Sequence, residues 1–276
     1  MQVTYITLPD TFMTMSANPK ISVLIPAFNE EHFITTTIDS VHRSFEAIQK
    51  ISYEIVVCDN HSTDTTSDIA QSKGARVIFE PHNQISRARN IAAKAAQGQW
   101  FIFLDADTQL NSNVLHETVK NLESGKVGAG GAIMAMDSDK LSRSMNFLLR
   151  TWNHVSVRFK LAAGAYLFCH RDAWEETRGF DESLYVSEEI NFSLKLKAWC
   201  QSKDMRFHVI TTAPIITSSR KLHWYTPWQI FRQFLVLTVP FAVRRRQKCS
   251  LWYERPKLHT VKPPPPLAVA TTRATP

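Results

Sequence analysis

The sequence predicts an α/β fold: a mostly parallel central sheet covered by helices on both faces. Three observations predict it. Short apolar runs alternate with amphipathic stretches through the first 110 residues, the pattern of strands joined by helical crossovers. Those runs lack the polar alternation of half-exposed strands, as expected for strands buried on both faces. Acidic residues stand at the C-terminal ends of three of them, where open α/β sheets place their ligands.

Taken in order, residues 1–19 read as a loose arm. Residues 21–27 (Ile-Ser-Val-Leu-Ile-Pro-Ala) are the first strand, and Asn29 is expected to cap the next helix. Ile34, Ile38, Val41, Phe45 and Ile48 recur at steps of four and three, one face of an amphipathic helix. Residues 53–58 are a second buried strand, ending at Asp59. Thr63 or Asp64 starts a short helix. Residues 75–79 are a third strand, and 85–96 a helix stopped by Gly98. Residues 100–104 (Trp-Phe-Ile-Phe-Leu) are a fourth strand, ending in Asp105 and Asp107.

Beyond residue 110 the pattern changes. The stretch 119–131 is followed by an apolar run at 132–136. A helix is expected over 141–160, a strand over 165–170 and a helix over 188–198. The main domain is placed at 20–223, with a break in character at 110. Residues 224–256 read as a C-terminal amphipathic helical segment, and 257–276 as a Pro-rich, disordered tail. No internal repeat is visible.

The chain has 276 residues and 44% apolar content, enough for a sizeable core. Its positive charge is uneven: 13 Lys/Arg face 2 acids from Lys203 onward, and 19 face 23 before it. The basic balance therefore belongs to the C-terminal quarter. Cys58, Cys169, Cys200 and Cys249 show no C-x-x-C spacing, which argues against a zinc or redox motif and for reduced thiols in the cytosol. No secretory signal is evident. The longest apolar stretch, 234–243, is too short to span a bilayer.

Alternate residues on a strand point to opposite faces, so Asp105 and Asp107 must lie in the turn just past it to act together. Such pairs hold a hard divalent cation, and such a cation holds phosphates. Two common nucleotide signatures are missing. No G-x-G-x-x-G follows the first strand, and no G-x-x-x-x-G-K-[ST] occurs, which disfavours a Rossmann dinucleotide site and excludes a P-loop.

The segments Ser22-Val-Leu-Ile-Pro-Ala-Phe-Asn-Glu30, Val57-Cys-Asp-Asn-His-Ser-Thr-Asp64, Ala88-Arg-Asn90 and Leu104-Asp-Ala-Asp107 follow one another, and Gly179-Phe-Asp-Glu182 and Ser187-Glu-Glu189 come later. In this order and spacing they resemble the family 2 glycosyltransferases, which have the GT-A fold. The resemblance covers roughly residues 20–220 and implies a nucleotide-binding half (20–110) and an acceptor and catalytic half (111–223), with a small acceptor-side subdomain.

The resemblance further implies roles. Asp105 and Asp107 would bind Mg²⁺ or Mn²⁺ bridging the two phosphates of a nucleotide sugar, UDP-linked by default. Asp59 would accept a hydrogen bond from the base, since an ionised carboxylate supplies only acceptors. Pro26 and Ala27 would meet the nucleotide through their backbone, with Asn29 in the same loop and Glu30 near the ribose or base. Arg89 would meet the base or a phosphate. Gly164 would let the backbone approach the donor sugar. Arg220 or Lys221 would clamp the diphosphate, and His223 is a candidate metal ligand. Glu189 would be the general base of an inverting transfer, with Glu188 contacting acceptor or sugar. The family usually has Asp at the second position of that pair, and this chain has Glu.

The acceptor would be a hydroxyl on a saccharide or a lipid-linked molecule. Aromatics from Trp224 to Phe241 lead into Arg244-Arg-Arg246, which reads either as an in-plane anchor on an anionic membrane or as a helix packed on the domain. The first reading would put the protein at the inner face of the membrane. Nucleic-acid binding is not expected, because no recognition motif accompanies the charge. Three rivals are a haloacid-dehalogenase-type phosphohydrolase, a nucleotidyltransferase and a non-catalytic nucleotide-sugar-binding pseudo-transferase. Gln109 breaks the motif of the first, and 26–31 lacks the Gly/Arg/Lys-rich loop of the second.

Overall fold

Every strand near the sheet centre sends alternate residues into two different cores, and this explains the continuous apolar runs. From Trp100–Leu104, the side chains of Trp100, Ile102 and Leu104 enter one core, and Phe101 and Phe103 the other. From Ile21–Ala27, Val23 and Ile25 enter the first core and Leu24 the second. A strand with no solvent face has no position that tolerates a polar side chain without a partner. The one polar residue early in the first strand obeys this rule: buried Ser22 donates to Glu54 Oε1 at 2.7 Å.

These observations come from a computed structural model that describes residues 19–48, 51–138, 141–220, 243–249 and 253. The strands are β1 (Ile21–Ala27), β2 (Tyr53–Asp59), β3 (Arg76–Phe79), β4 (Trp100–Leu104), β5 (Thr108–Gln109), β6 (Val127–Met136), β7 (Tyr166–His170) and β8 (Arg206–Thr217). The helices are α1 (Ile34–Ile48), α2 (Thr66–Ser72), α3 (Ile85–Ala95), α4 (Ser112–Glu123), α5 (Arg143–Phe159), α6 (Arg171–Glu176) and α7 (Glu188–Ser202). One eight-stranded sheet runs in the order β3-β2-β1-β4-β7-β6-β8-β5. Strands β3, β2, β1 and β4 are parallel. Beyond β4 the sheet is mixed: β7 is antiparallel to both β4 and β6, β8 is parallel to β6, and β5 is antiparallel to β8. The α/β class expected from the sequence is the observed one, with the continuous parallel run made by β3, β2, β1 and β4.

Helices α1 and α4 cover the first core through Ile34, Ile38, Val41, Val114, Leu115 and Val119. Helices α3 and α7 cover the second through Ala88, Ala92, Phe192 and Leu196. All four cysteines are buried. No helix among the described residues is long and apolar enough to cross a membrane.

Two local expectations need correction. Asn29 does not cap α1. It lies in the left-handed region at φ 53°, and its Oδ1 accepts from Thr63 N at 2.8 Å, tying the loop after β1 to the loop after β2. Gly98 does not stop α3 by a left-handed turn, since the glycines with positive φ are Gly74, Gly125 and Gly179. A Cβ on Gly98 would sit 2.6 Å from Ser22 N, so what the position requires is close approach to β1. The sequence reading also passed over α4, whose N-cap Asn111 accepts from Val114 N, and β8. The arm at 1–18, Lys221, His223, most of 224–256 and the tail lie outside the described residues.

Candidate active site

The parallel strands end together. Ala27 pairs in register with Asp59, and Asn60 N donates to Ala27 O at 2.7 Å. The turn after β4 is pinned on three sides. Thr37 Oγ1 donates to Ala106 O at 2.8 Å from α1. Asp105 N donates to Ala165 O at 3.3 Å, and Ser218 N to Asp107 O at 3.1 Å. Asp105 and Asp107 therefore sit in a fixed turn past the strand end and both line one cleft, with Pro26, Ala27, Phe28, Glu30, Asn60, Asn83, Ile85, Arg220 and Tyr253 around them.

Two buried arginines organise the acids. Arg220 follows β8; its guanidinium engages both oxygens of Glu30, lies 2.9 Å from Asp107 Oδ2 and stacks over Phe33 at 4.3 Å. Burial alone would weaken its hold on the proton, but Asp107 and Glu30 more than offset that and keep it charged. Arg89, on α3, donates from Nη2 to Asp105 Oδ1 at 2.9 Å and to Gly164 O at 3.0 Å, and from Nη1 to Glu188 Oε1 at 2.8 Å. Its charge is likewise held against burial, by Asp105 and then Glu188 and Glu189. Arg87, two residues earlier, points elsewhere and pairs with Glu182 at 3.1 Å and with Glu80.

Glu188 and Glu189 open α7, where the helix dipole favours negative charge. Glu188 is buried and Glu189 half-buried. Burial raises both carboxyls above their usual range; the Glu189 charge adds to this at Glu188, and Arg89 opposes it at both. A Cβ on Gly164 would stand 3.0 Å from Arg89 Nη2 and 3.8 Å from the Glu189 carboxyl carbon, so the loop before β7 passes directly over this pair.

The residues singled out in the sequence thus fall into three groups. Pro26, Ala27, Glu30, Asp105, Asp107 and Arg220 line the cleft. Arg89, Gly164, Glu188 and Glu189 form the adjoining cluster. Asn29 and Asp59 stand just behind: Asp59 is buried and accepts from Ser62 N at 2.9 Å. The sequence reading missed Asn60, Asn83 and Tyr253. Asn60 was signalled by its place beside Asp59. Tyr253 carried no local signal; it arrives from far along the chain, with its OH donating to Tyr185 O at 2.8 Å and accepting from Ile85 N at 3.3 Å. Tyr253, Cys249 and Val186 form a small separate apolar cluster, so this part of the C-terminal segment packs on the domain beside α7.

Asp105 and Asp107 suit a hard divalent cation. They offer carboxylate oxygens on one cleft wall, and each carboxylate can accept bonds beyond its pairing with an arginine. No group of three or more metal-ligating side chains occurs among the described residues; two carboxylates completed by substrate phosphates are a common Mg²⁺ arrangement.

The model of glycosyl transferase family 2 matches residues 22–170, and that of glycosyl transferase family group 2 matches residues 100–255. The poly(ribitol-phosphate) beta-N-acetylglucosaminyltransferase TarS of Staphylococcus aureus is 29% identical over 104 residues, 36% of this chain and 18% of that protein. Its 1–349 structure in complex with UDP-GlcNAc superposes with a TM-score of 0.55 at 20% identity, covering 79% of this chain and 66% of that one. The Escherichia coli UDP-Glc:alpha-D-GlcNAc-diphosphoundecaprenol beta-1,3-glucosyltransferase WfaP is 32% identical over 112 residues, 39% of this chain and 43% of that protein. A Pyrobaculum calidifontis mannosyltransferase in complex with GDP-Man and Mn²⁺ gives a TM-score of 0.59 at 20% identity, covering 88% of this chain and 72% of that one. The matched segment thus spans less than half the length of either curated relative.

Proposed function

This chain belongs to glycosyl transferase family 2, and from that premise we propose that it moves a sugar from a nucleotide-diphosphate donor, UDP-linked by default, to an acceptor hydroxyl with inversion. The observation that carries the reading is the joining of two acid clusters across Arg89: the cleft acid Asp105 on one side, the Glu188–Glu189 pair on the other.

In this reading the nucleotide lies along Pro26, Ala27 and Asn60, with Asp59 behind the base. Asp105 and Asp107 would hold Mg²⁺ or Mn²⁺, which supplies Lewis-acid neutralisation of the diphosphate leaving group. Arg220, already charged beside Asp107, adds a fixed cation on the same side. Gly164 leaves room for the sugar next to Arg89. Glu188 is fixed by its ion pair with Arg89 and serves to position; Glu189, less buried, takes the proton from the acceptor hydroxyl. One methylene more than the usual Asp sets that carboxylate farther from the helix backbone.

The relatives bear on the substrates. WfaP is named for a UDP-glucose donor and a diphosphoundecaprenol-linked acceptor, and TarS for a poly(ribitol-phosphate) acceptor. We propose an acceptor of that kind, a lipid-linked or polymeric saccharide, which would put the protein at the inner face of a membrane.

The test is release of UDP from a panel of UDP-sugars with Mn²⁺, with and without EDTA. Turnover should require the metal, and Asp107→Ala should abolish turnover together with Mn²⁺-dependent UDP binding. Unchanged turnover in Asp107→Ala would refute the assignment of that residue.

A further inference from the structure

Helix α5 is the least covered element of the fold. Of its 17 residues only Ser156 is buried. Phe147 is 72% exposed, Phe159 57%, Val157 41% and Leu148 38%. Helical geometry gathers Arg143, Phe147, Arg150, His154 and Arg158 on one outward face, and all five are exposed. The Leu148 and Phe159 flank is left open beside it, and Leu194 of α7 is exposed as well. Between Lys140 and Arg171 the chain contains no Asp or Glu.

The helix is nevertheless firmly attached. Asn153 makes paired bonds to Met134, accepting from its N–H at 3.0 Å and donating to its carbonyl at 2.8 Å. Lys197 Nζ donates to Phe159 O at 2.8 Å. A bound helix about 25 Å long therefore presents aromatic rings set among cations.

We infer that α5 is an in-plane membrane contact that seats this face on an anionic bilayer. Charge complementarity selects that occupant: exposed aromatics set among Arg and Lys are the chemistry of interfacial helices on acidic lipid. A second copy of the same face would bring like charges together across a two-fold axis. Residues 221–242 carry Lys221 and Arg232 and no acid, so they do not complement it either. The site stands close by, because α5 ends at Phe159 and Gly164, five residues on, accepts from Arg89. Seating α5 would thus bring the Glu188–Glu189 side of the cleft toward the lipid surface. Only this last consequence rests on the function proposed above.

The experiment uses the full chain. Flotation is measured with phosphatidylcholine vesicles with and without phosphatidylglycerol, at low and high salt. Phe147→Cys carries an environment-sensitive fluorophore, selective because the four native cysteines are buried. The protein should float only with phosphatidylglycerol, less at high salt, and the probe should shift to the blue. Phe147→Ser combined with Arg150→Glu should weaken binding by about tenfold or more, while Arg150→Lys should keep it. Absence of flotation, an unshifted probe, or wild-type flotation by the double variant would overturn the inference. So would lipid-free dimerisation that the double variant abolishes. UDP release is measured separately: its failure with flotation intact would refute the proposed function and leave this inference standing.

Discussion

Asp105 and Glu188 share one guanidinium: Arg89 Nη2 lies 2.9 Å from Asp105 Oδ1, and Nη1 lies 2.8 Å from Glu188 Oε1. The turn after β4 and the first turn of α7 are thereby held in one frame. The loop before β7 joins the same frame: Ala165 O accepts from Asp105 N, and Gly164 O accepts from Arg89 Nη2.

Replacing Arg89 tests that frame. Arg89→Met would leave Asp105 and the buried Glu188 without the guanidinium they share. The expected cost is about 3–5 kcal/mol in urea unfolding, with loss of turnover. Arg89→Lys restores the charge without the two-pronged fork and should recover most of the stability and little of the activity. Wild-type stability in Arg89→Met would show that the ion pair contributes nothing.

The raised Glu188–Glu189 pair predicts two pH effects. The acid limb of the turnover profile should lie above the ordinary carboxylate pKa of 4.5, because the base must ionise before it can act. Stability should run the other way. The folded protein holds these protons to higher pH than the unfolded chain does. The stabilisation is therefore complete below pH 4.5 and is lost as pH rises through the raised values, by up to about 1.4 kcal/mol per pH unit for each proton. Replacing both residues by Gln should flatten the stability profile across that window; an unchanged slope would contradict the assignment.

Gly179 should not tolerate a side chain. It sits at φ 60°, and a Cβ there would meet Asn90 Oδ1 at 2.5 Å. Asn90 needs that position to pair with both Phe180 N and Phe180 O. Gly179→Ala should therefore cost more than about 2 kcal/mol, combining left-handed strain and overpacking, read as a lowered Tm.

Tyr253 should matter to donor binding out of proportion to its place in the chain. Its OH joins the Tyr185 carbonyl to the Ile85 amide at the start of α3, and its ring walls the cleft. Tyr253→Phe should cost about 1 kcal/mol of stability. Tyr253→Ala should also raise the KM for donor several-fold. An unchanged KM would remove Tyr253 from the cleft wall.

Much of this site was legible because its residues stand at strand ends. An apolar run buried on both faces has one readable boundary, and Asp59, Asp105 and Asp107 mark two of them. Glu188 and Glu189 were legible as the opening of α7. Pairings over long sequence distance were not. Nothing near Arg220 announces Glu30, 190 residues away, and nothing near Tyr253 announces Ile85. Helix α4 carries its periodicity in Val114, Leu115, Val119 and Leu122, but its end runs into the next apolar stretch, which hides the helix in the sequence. Strand β8 escaped because an irregular run of exposed and buried residues breaks its alternation. Asn29 and Gly98 were given the commonest local roles of their residue types, and contacts with a neighbouring loop and strand decided both.

The central claim is that one site has a donor side at Asp105–Asp107 and a base at Glu189. The most direct measurement is UDP binding by calorimetry alongside sugar transfer in Glu189→Gln. The expected result is a Kd unchanged within about twofold and a transfer rate lower by about 10²–10⁴. Transfer at the wild-type rate, or loss of UDP binding together with transfer, would contradict it.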